Sequence, residues 1–166
     1  MSMLPTGALA GAPAASAARW LAFAVPAALL GGAYLGQFVF GLYPCEMCWW
    51  QRYAHFAALA LALLALIRPS QRVLVLLAAV AILVGGLLGA YHAGVEYGWW
   101  QGFTACTSEV KIGDDPLSDI LNAPMIRCDQ VQWSLLGISL AGFNFLISVP
   151  AALVIMALLG RSRRSV

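Results

Sequence analysis

The chain has 166 residues, 62% of them hydrophobic and only 10% charged, with a formal net charge of +2. A soluble domain carries about 25% charged residues, so this composition excludes an ordinary soluble enzyme and indicates one compact integral membrane unit. No basic stripe marks a nucleic-acid surface, no glycine loop marks a phosphate site, and no internal repeat is visible.

The chain opens with MSMLPTGALAGAPAASAAR. Small residues near ASA suggest a cleavage site, but the charged n-region and compact apolar run of a secretory signal are missing. Residues 1–18 are therefore expected to be an uncleaved flexible tail, and 19–166 a single transmembrane domain. Four apolar segments follow, at about 20–42, 49–67, 73–95 and 135–160. Each can cross about 30 Å of hydrocarbon at about 1.5 Å per residue. Pro26 and Pro150 fall inside the first and fourth, where neighbouring helices can satisfy the freed backbone groups. Gly85, Gly86 and Gly89 in VGGLLGAYH offer a small face for close helix packing. The predicted fold is all-α: an integral membrane four-helix bundle with loops at 43–48 and 96–134. Within the long loop, DDPLSDILNAP reads as a short surface helix. Asp115 suits its cap, Pro116 its first turn, and Leu117, Ile120 and Leu121 its apolar face.

Charge sets the expected orientation. Arg19, Arg68, Arg72, Arg161, Arg163 and Arg164 all fall on the face that carries both termini, with no acidic residue among them. Glu46, Glu96, Glu109, Asp114, Asp115, Asp119 and Asp129 fall on the other, beside Lys111 and Arg127. The positive-inside rule makes the termini cytoplasmic and both remaining loops external. All four cysteines are then external; in a bacterial-type inner membrane that side is the oxidising periplasm, where disulfides persist.

Cys45 and Cys48 form a Cys-x-x-Cys pair at the expected start of the second helix, a setting that lowers a thiol pKa. Arg52 falls on the same stripe one turn deeper. The helix N-terminus and the guanidinium are expected to favour a thiolate on Cys48. Snorkelling alone explains why an arginine is tolerated there, but not why it stands below a dithiol; an intramembrane charge is by default a functional candidate. His92 is expected level with Arg52, with Glu96 one turn on to orient its ring. Cys106 and Cys128 flank the predicted loop helix in polar surroundings, within reach of a thiol-bearing partner. A four-cysteine zinc site is the metal-binding rival, but structural zinc sites present two close knuckles, and here only one pair is close; no metal is expected.

The chain resembles the disulfide bond formation protein B (DsbB) family, quinone-reducing disulfide generators of bacterial inner membranes. The likeness rests on CEMCWWQR, GAYHAGVEYGWWQGFTAC and CDQVQWSLLGISLAGFN, on four spans, and on a Cys-x-x-Cys that precedes two separated loop cysteines. It implies catalytic roles for Cys45, Cys48, Cys106 and Cys128. Cys106 would form the mixed disulfide with a periplasmic DsbA-like thiol oxidase, with Cys128 as its companion. Cys45 would exchange with that pair, and Cys48 would face ubiquinone or menaquinone. Arg52 and His92 would contact the quinone. Two rivals stay open. A vitamin K epoxide reductase-like enzyme performs similar chemistry, usually with the loop cysteines first. A non-catalytic scaffold would use its cysteines only for structural disulfides.

Overall fold

The computed structural model describes the backbone of residues 7–104, 106 and 126–164, and the side chains of 13–104, 106 and 126–162. Among these residues four helices are long and apolar enough to cross a membrane. The expected loop helix around Asp115–Leu121 lies outside the described residues.

Helix α1 runs Gly7–Val39. Residues 7–18, expected as a tail, are thus helical, and Ala18 is fully buried in the bundle. The stretch is too poor in leucine to look like a span, yet alanine is the strongest helix former. The helix stops where Phe40 and Leu42 both donate their N–H to the Gly36 carbonyl. Gly41 takes the left-handed φ of 69° that such an ending needs. Helix α2 spans Glu46–Ile67. Its N-cap is Cys45, whose sulfur accepts the Cys48 N–H at 3.4 Å. Helix α3 covers Arg72–Glu96.

Past α3 the chain folds back at Gly98 (φ 71°). The Trp100 indole lies on Gly94 and occupies the space of a side chain there; its Nε1 donates to the Tyr91 carbonyl at 3.0 Å. The fourth helix, α4, spans Leu140–Arg164 and so begins five residues later than expected. The residues before it form a two-strand antiparallel ribbon, β1 (Ser134–Leu135) and β2 (Ile138–Ser139). Leu136 and Gly137 turn it with φ of 53° and 78°, the paired left-handed geometry of a tight hairpin. Tyr97 Oη fastens the ribbon to the end of α3, donating to the Gly137 carbonyl and accepting from the Ser139 N–H, both at 2.8 Å. Ser139 Oγ then caps α4 by accepting the Gly142 N–H.

The helices form an antiparallel ring in which α1 and α3 each pack between α2 and α4. At the arginine end the interior is chiefly small: Ala18, Ala22, Ala58, Ala62, Ala65, Ala78, Ala79 and Ala152 surround Ile82 and Ile155. Leu63, Leu76, Leu87, Leu146 and Leu153 point outward. This inverts the soluble pattern, because lipid tails are as apolar as leucine and helix association depends on close approach. The Gly85–Gly89 face does what the sequence suggested. A Cβ on Gly86 would stand 2.8 Å from Ser148 Cβ, and one on Gly89 2.8 Å from the Ala141 carbonyl oxygen. Arg19 donates to the Pro69 carbonyl and Arg72 to that of Ser162, tying the helices at this end. The cysteines lie at the opposite end.

Candidate redox site

The short α1–α2 connection delivers Cys45 and Cys48 to the top of α2, where helical spacing brings their sulfurs to 3.1 Å as a dithiol. Cys106 and Cys128 form a disulfide with Cα atoms 5.4 Å apart. The Cys128 N–H donates to the Cys106 carbonyl, and the Thr104 hydroxyl stands 3.0 Å from the Cys106 sulfur. The two pairs share one cluster: Cys45, Met47, Val95, Cys106 and Cys128 are all buried, with Tyr91 and Ile126 packed against them. The expectation of exposed loop cysteines is therefore corrected. Apolar neighbours on α2 and α3, among them Met47, Tyr91 and Val95, pack against Cys106 and Cys128.

His92, 2% exposed, joins the pairs. Its Nε2 lies 3.1 Å from the Cys128 carbonyl oxygen, 3.6 Å from the Cys45 sulfur and 3.9 Å from Glu96 Oε1. The last distance bears out the expected pairing one turn along the helix. The geometry, however, favours a thiolate on Cys45, whose sulfur accepts the Cys48 N–H. The thiol hydrogen bond from Cys48 pulls Cys45 well below the ordinary thiol range, and His92 and the Cys48 N–H act in the same direction against the opposing effect of burial. Helix geometry explains the reversal, since the N-cap sulfur, not the one a turn inside, receives the orphan N–H.

Arg52 is buried and turned toward α1, donating to Gln37 Oε1 at 2.6 Å and to the Ala33 carbonyl at 3.2 Å. Its guanidinium lies over the rings of Tyr34 and Trp49, 4.9 and 5.1 Å from their centroids. Such contacts hold a desolvated cation in place. Arg52, Cys48 and His92 line a single cavity of about 280 Å³. Its α1 wall is small and apolar, including Ala28, Gly32, Ala33 and Gly36, and Phe143 and Asn144 of α4 close another side. Such a chamber, with mostly apolar walls and a few convergent polar groups, suits a small, largely apolar ligand.

A metal is the other ligand to test. The donor atoms of Cys45, Cys48 and His92 lie within 4.8 Å of one another. The His92 nitrogen among them faces the Cys128 carbonyl, which can only accept, so this nitrogen presents a proton rather than a lone pair. While Cys106 and Cys128 are joined as a disulfide they offer no thiolates to a four-cysteine zinc site.

Sequence reasoning missed a polar layer behind the cysteines. Gln51 and His55 of α2 and Asn144 and Ser148 of α4 are linked by hydrogen bonds of 2.8–2.9 Å. Polar side chains inside apolar spans were the available signal.

The comparisons with known proteins agree with this architecture. The family described as "Disulfide bond formation protein DsbB" matches residues 15–158. The chain is 36% identical over 154 residues to Disulfide bond formation protein B of Aromatoleum aromaticum, covering 85% of this chain and 90% of that protein. It is also 36% identical over 155 residues to Disulfide bond formation protein B of Verminephrobacter eiseniae, covering 87% and 85%. No solved structure matches the chain. With four membrane-length helices and two adjoining cysteine pairs, the chain belongs to the disulfide bond formation protein DsbB family.

Proposed function

We propose that this membrane protein is a disulfide-generating oxidoreductase that takes electrons from a periplasmic DsbA-like thioredoxin-fold protein and passes them to membrane quinone. The observation that carries the reading is the placement of Cys48, Arg52 and His92 around one apolar cavity, with the Cys106–Cys128 disulfide packed against Cys45. The charge asymmetry supports a bacterial inner-membrane protein with cytoplasmic termini and periplasmic cysteine loops.

The partner's thiolate attacks Cys106, and the partner's second thiol then closes its own disulfide, leaving Cys106 and Cys128 reduced. Their electrons move on by exchange with an oxidised Cys45–Cys48 pair, attacked at Cys45, with Cys48 as the leaving thiolate. Bound quinone supplies a two-electron, two-proton acceptor. Cys48, which lines the cavity, would face that acceptor, and Arg52 would place positive charge beside the oxygen that becomes anionic. Cys45 would close the disulfide with the Cys48 sulfur as the two electrons and two protons of the dithiol pass to the bound quinone, which becomes the quinol.

Turnover of quinone by the purified protein, with a reduced thioredoxin-like periplasmic oxidase as donor, tests the reading. Cys48→Ser and Cys106→Ser are expected to abolish it. Variants that match the wild type would instead favour a scaffold with structural disulfides.

A further inference from the structure

The polar layer behind the dithiol has a hydrogen-bond direction that can be read from its fixed ends. Gly85 O accepts from one terminal atom of Asn144 at 3.0 Å, so that atom is the amide nitrogen. The same nitrogen stands 2.8 Å from one terminal atom of Gln51, which must then be Oε1. The other Gln51 atom is the amide nitrogen, and it donates to the Met47 carbonyl at 3.1 Å. Its second hydrogen points to His92 Nδ1 at 3.0 Å, which must accept. The His92 proton is then on Nε2. The opposite end of the ring gives the same answer, since Nε2 faces the Cys128 carbonyl.

We propose that Gln51 and Asn144 are positioning residues: they hold His92 with its proton on Nε2, so that this N–H bridges the Cys128 carbonyl and the Cys45 sulfur and docks the loop disulfide on the dithiol. Two backbone carbonyls in different helices, Gly85 O and Met47 O, fix the amides. Asn144 is held further by His55 Nε2 at 2.9 Å and by the Ser148 hydroxyl at 2.8 Å. Among the described residues the ring meets Gln51 on one side and Cys45, Cys128 and Glu96 on the other, with the Cys48 sulfur beside them. The arrangement gives His92 a task between the two cysteine pairs, distinct from any contact with quinone. Its use in exchange rests on the relay proposed above; the tautomer and the state of Cys45 do not.

The chain has two histidines, so nitrogen-15 NMR of histidine-labelled protein in nanodiscs, with His55→Gln for assignment, resolves the His92 ring. At mildly alkaline pH the wild type is expected to show a protonated Nε2 and a bare Nδ1. Gln51→Met, which keeps the volume and removes the donor, is expected to mix the two tautomers. It is also expected to slow alkylation of Cys45 about 10-fold below the ordinary thiol range, a loss of about one pKa unit. His92→Ala is expected to slow Cys45 to a similar degree, and the double variant no further. Asn144→Ala is expected to shift both readouts in the same direction by less. A bare Nε2 in the wild type, which needs no substitution to observe, would overturn the proposal. So would an unchanged tautomer and Cys45 profile in a folded Gln51→Met protein. Neither readout uses quinone or a partner, so failure of the relay and failure of the tautomer lock are separable.

Discussion

At the arginine end of the bundle, Ala58, Ala62, Ala78, Ala79 and Ala152 meet through methyl groups alone; at the cysteine end, Gln51, His55, His92, Asn144 and Ser148 meet through hydrogen bonds. Both ends lie within the same helices, so the difference is not one of fold. Small side chains let backbones approach, and that suffices where the only requirement is cohesion in lipid. Interhelical hydrogen bonds in membranes contribute only about 0.6 kcal/mol each on average, so the polar layer is a weak device for stability. What it adds is direction: the two amides have their oxygen and nitrogen ends assigned, and the sequence of bonds ends on the dithiol.

The two ends separate most clearly when chemistry is removed without removing packing. Cys45→Ser is expected to reduce disulfide-generating turnover by on the order of 1,000-fold, as for other residues that act as a unit. Its thermal midpoint in detergent should stay near that of the wild type. A matching loss of midpoint would mean that the dithiol also holds the bundle together. The converse change is Gly86→Leu at the close contact with Ser148 and Val149. It is expected to destabilise by about 1–3 kcal/mol through overpacking, read as lowered resistance to denaturant, with Cys45 and Cys48 still alkylated together in the folded fraction.

Arg52→Lys tests the cavity itself. Lysine keeps the charge but loses the planar fork shared between Gln37 and the Ala33 carbonyl and the stack against Tyr34 and Trp49. The expected result is a KM for quinone raised about 10-fold with kcat less affected. An unchanged KM would place the quinone elsewhere.

A smaller effect concerns pH. Because the folded-state pKa of Cys45 is lowered, its thiolate persists as pH falls below the ordinary thiol range and is lost only near the folded value. The linked stabilisation runs the same way: present above the unfolded-state pKa and lost as pH falls through the folded one. Alkylation of Cys45 should therefore remain fast in mildly acidic buffer. A rate that drops at the ordinary thiol pKa would contradict the hydrogen-bonded thiolate.

Much of the architecture was legible because lipid imposes simple rules. Length and hydropathy located four spans, and the Gly85–Gly89 face was read correctly as packing. Residues 7–18 were missed because an alanine-rich helix lacks the bulk that a span search looks for. The late start of α4 was missed because Leu135 and Leu136 look like membrane residues, yet a Leu-Gly pair with positive φ turns them back under Tyr97. Cys45, Cys48, Arg52 and His92 were singled out by spacing, charge and resemblance, and the structure places all four along one cavity. The thiolate position and the burial of Cys106 were not legible. They depend on which sulfur receives a backbone N–H and on a loop folding back onto α2 and α3. Gln51 and Asn144 escaped for a related reason, since an amide's role lies in its partners.

The most direct test is a single anaerobic turnover. Protein with Cys106–Cys128 oxidised and Cys45–Cys48 reduced, the arrangement described here, is mixed with quinone, and loss of quinone absorbance is followed beside free-thiol content. The proposed relay requires one quinone to be reduced for each Cys45–Cys48 dithiol consumed, with Cys106–Cys128 unchanged. Retention of both thiols in the presence of excess quinone would contradict it.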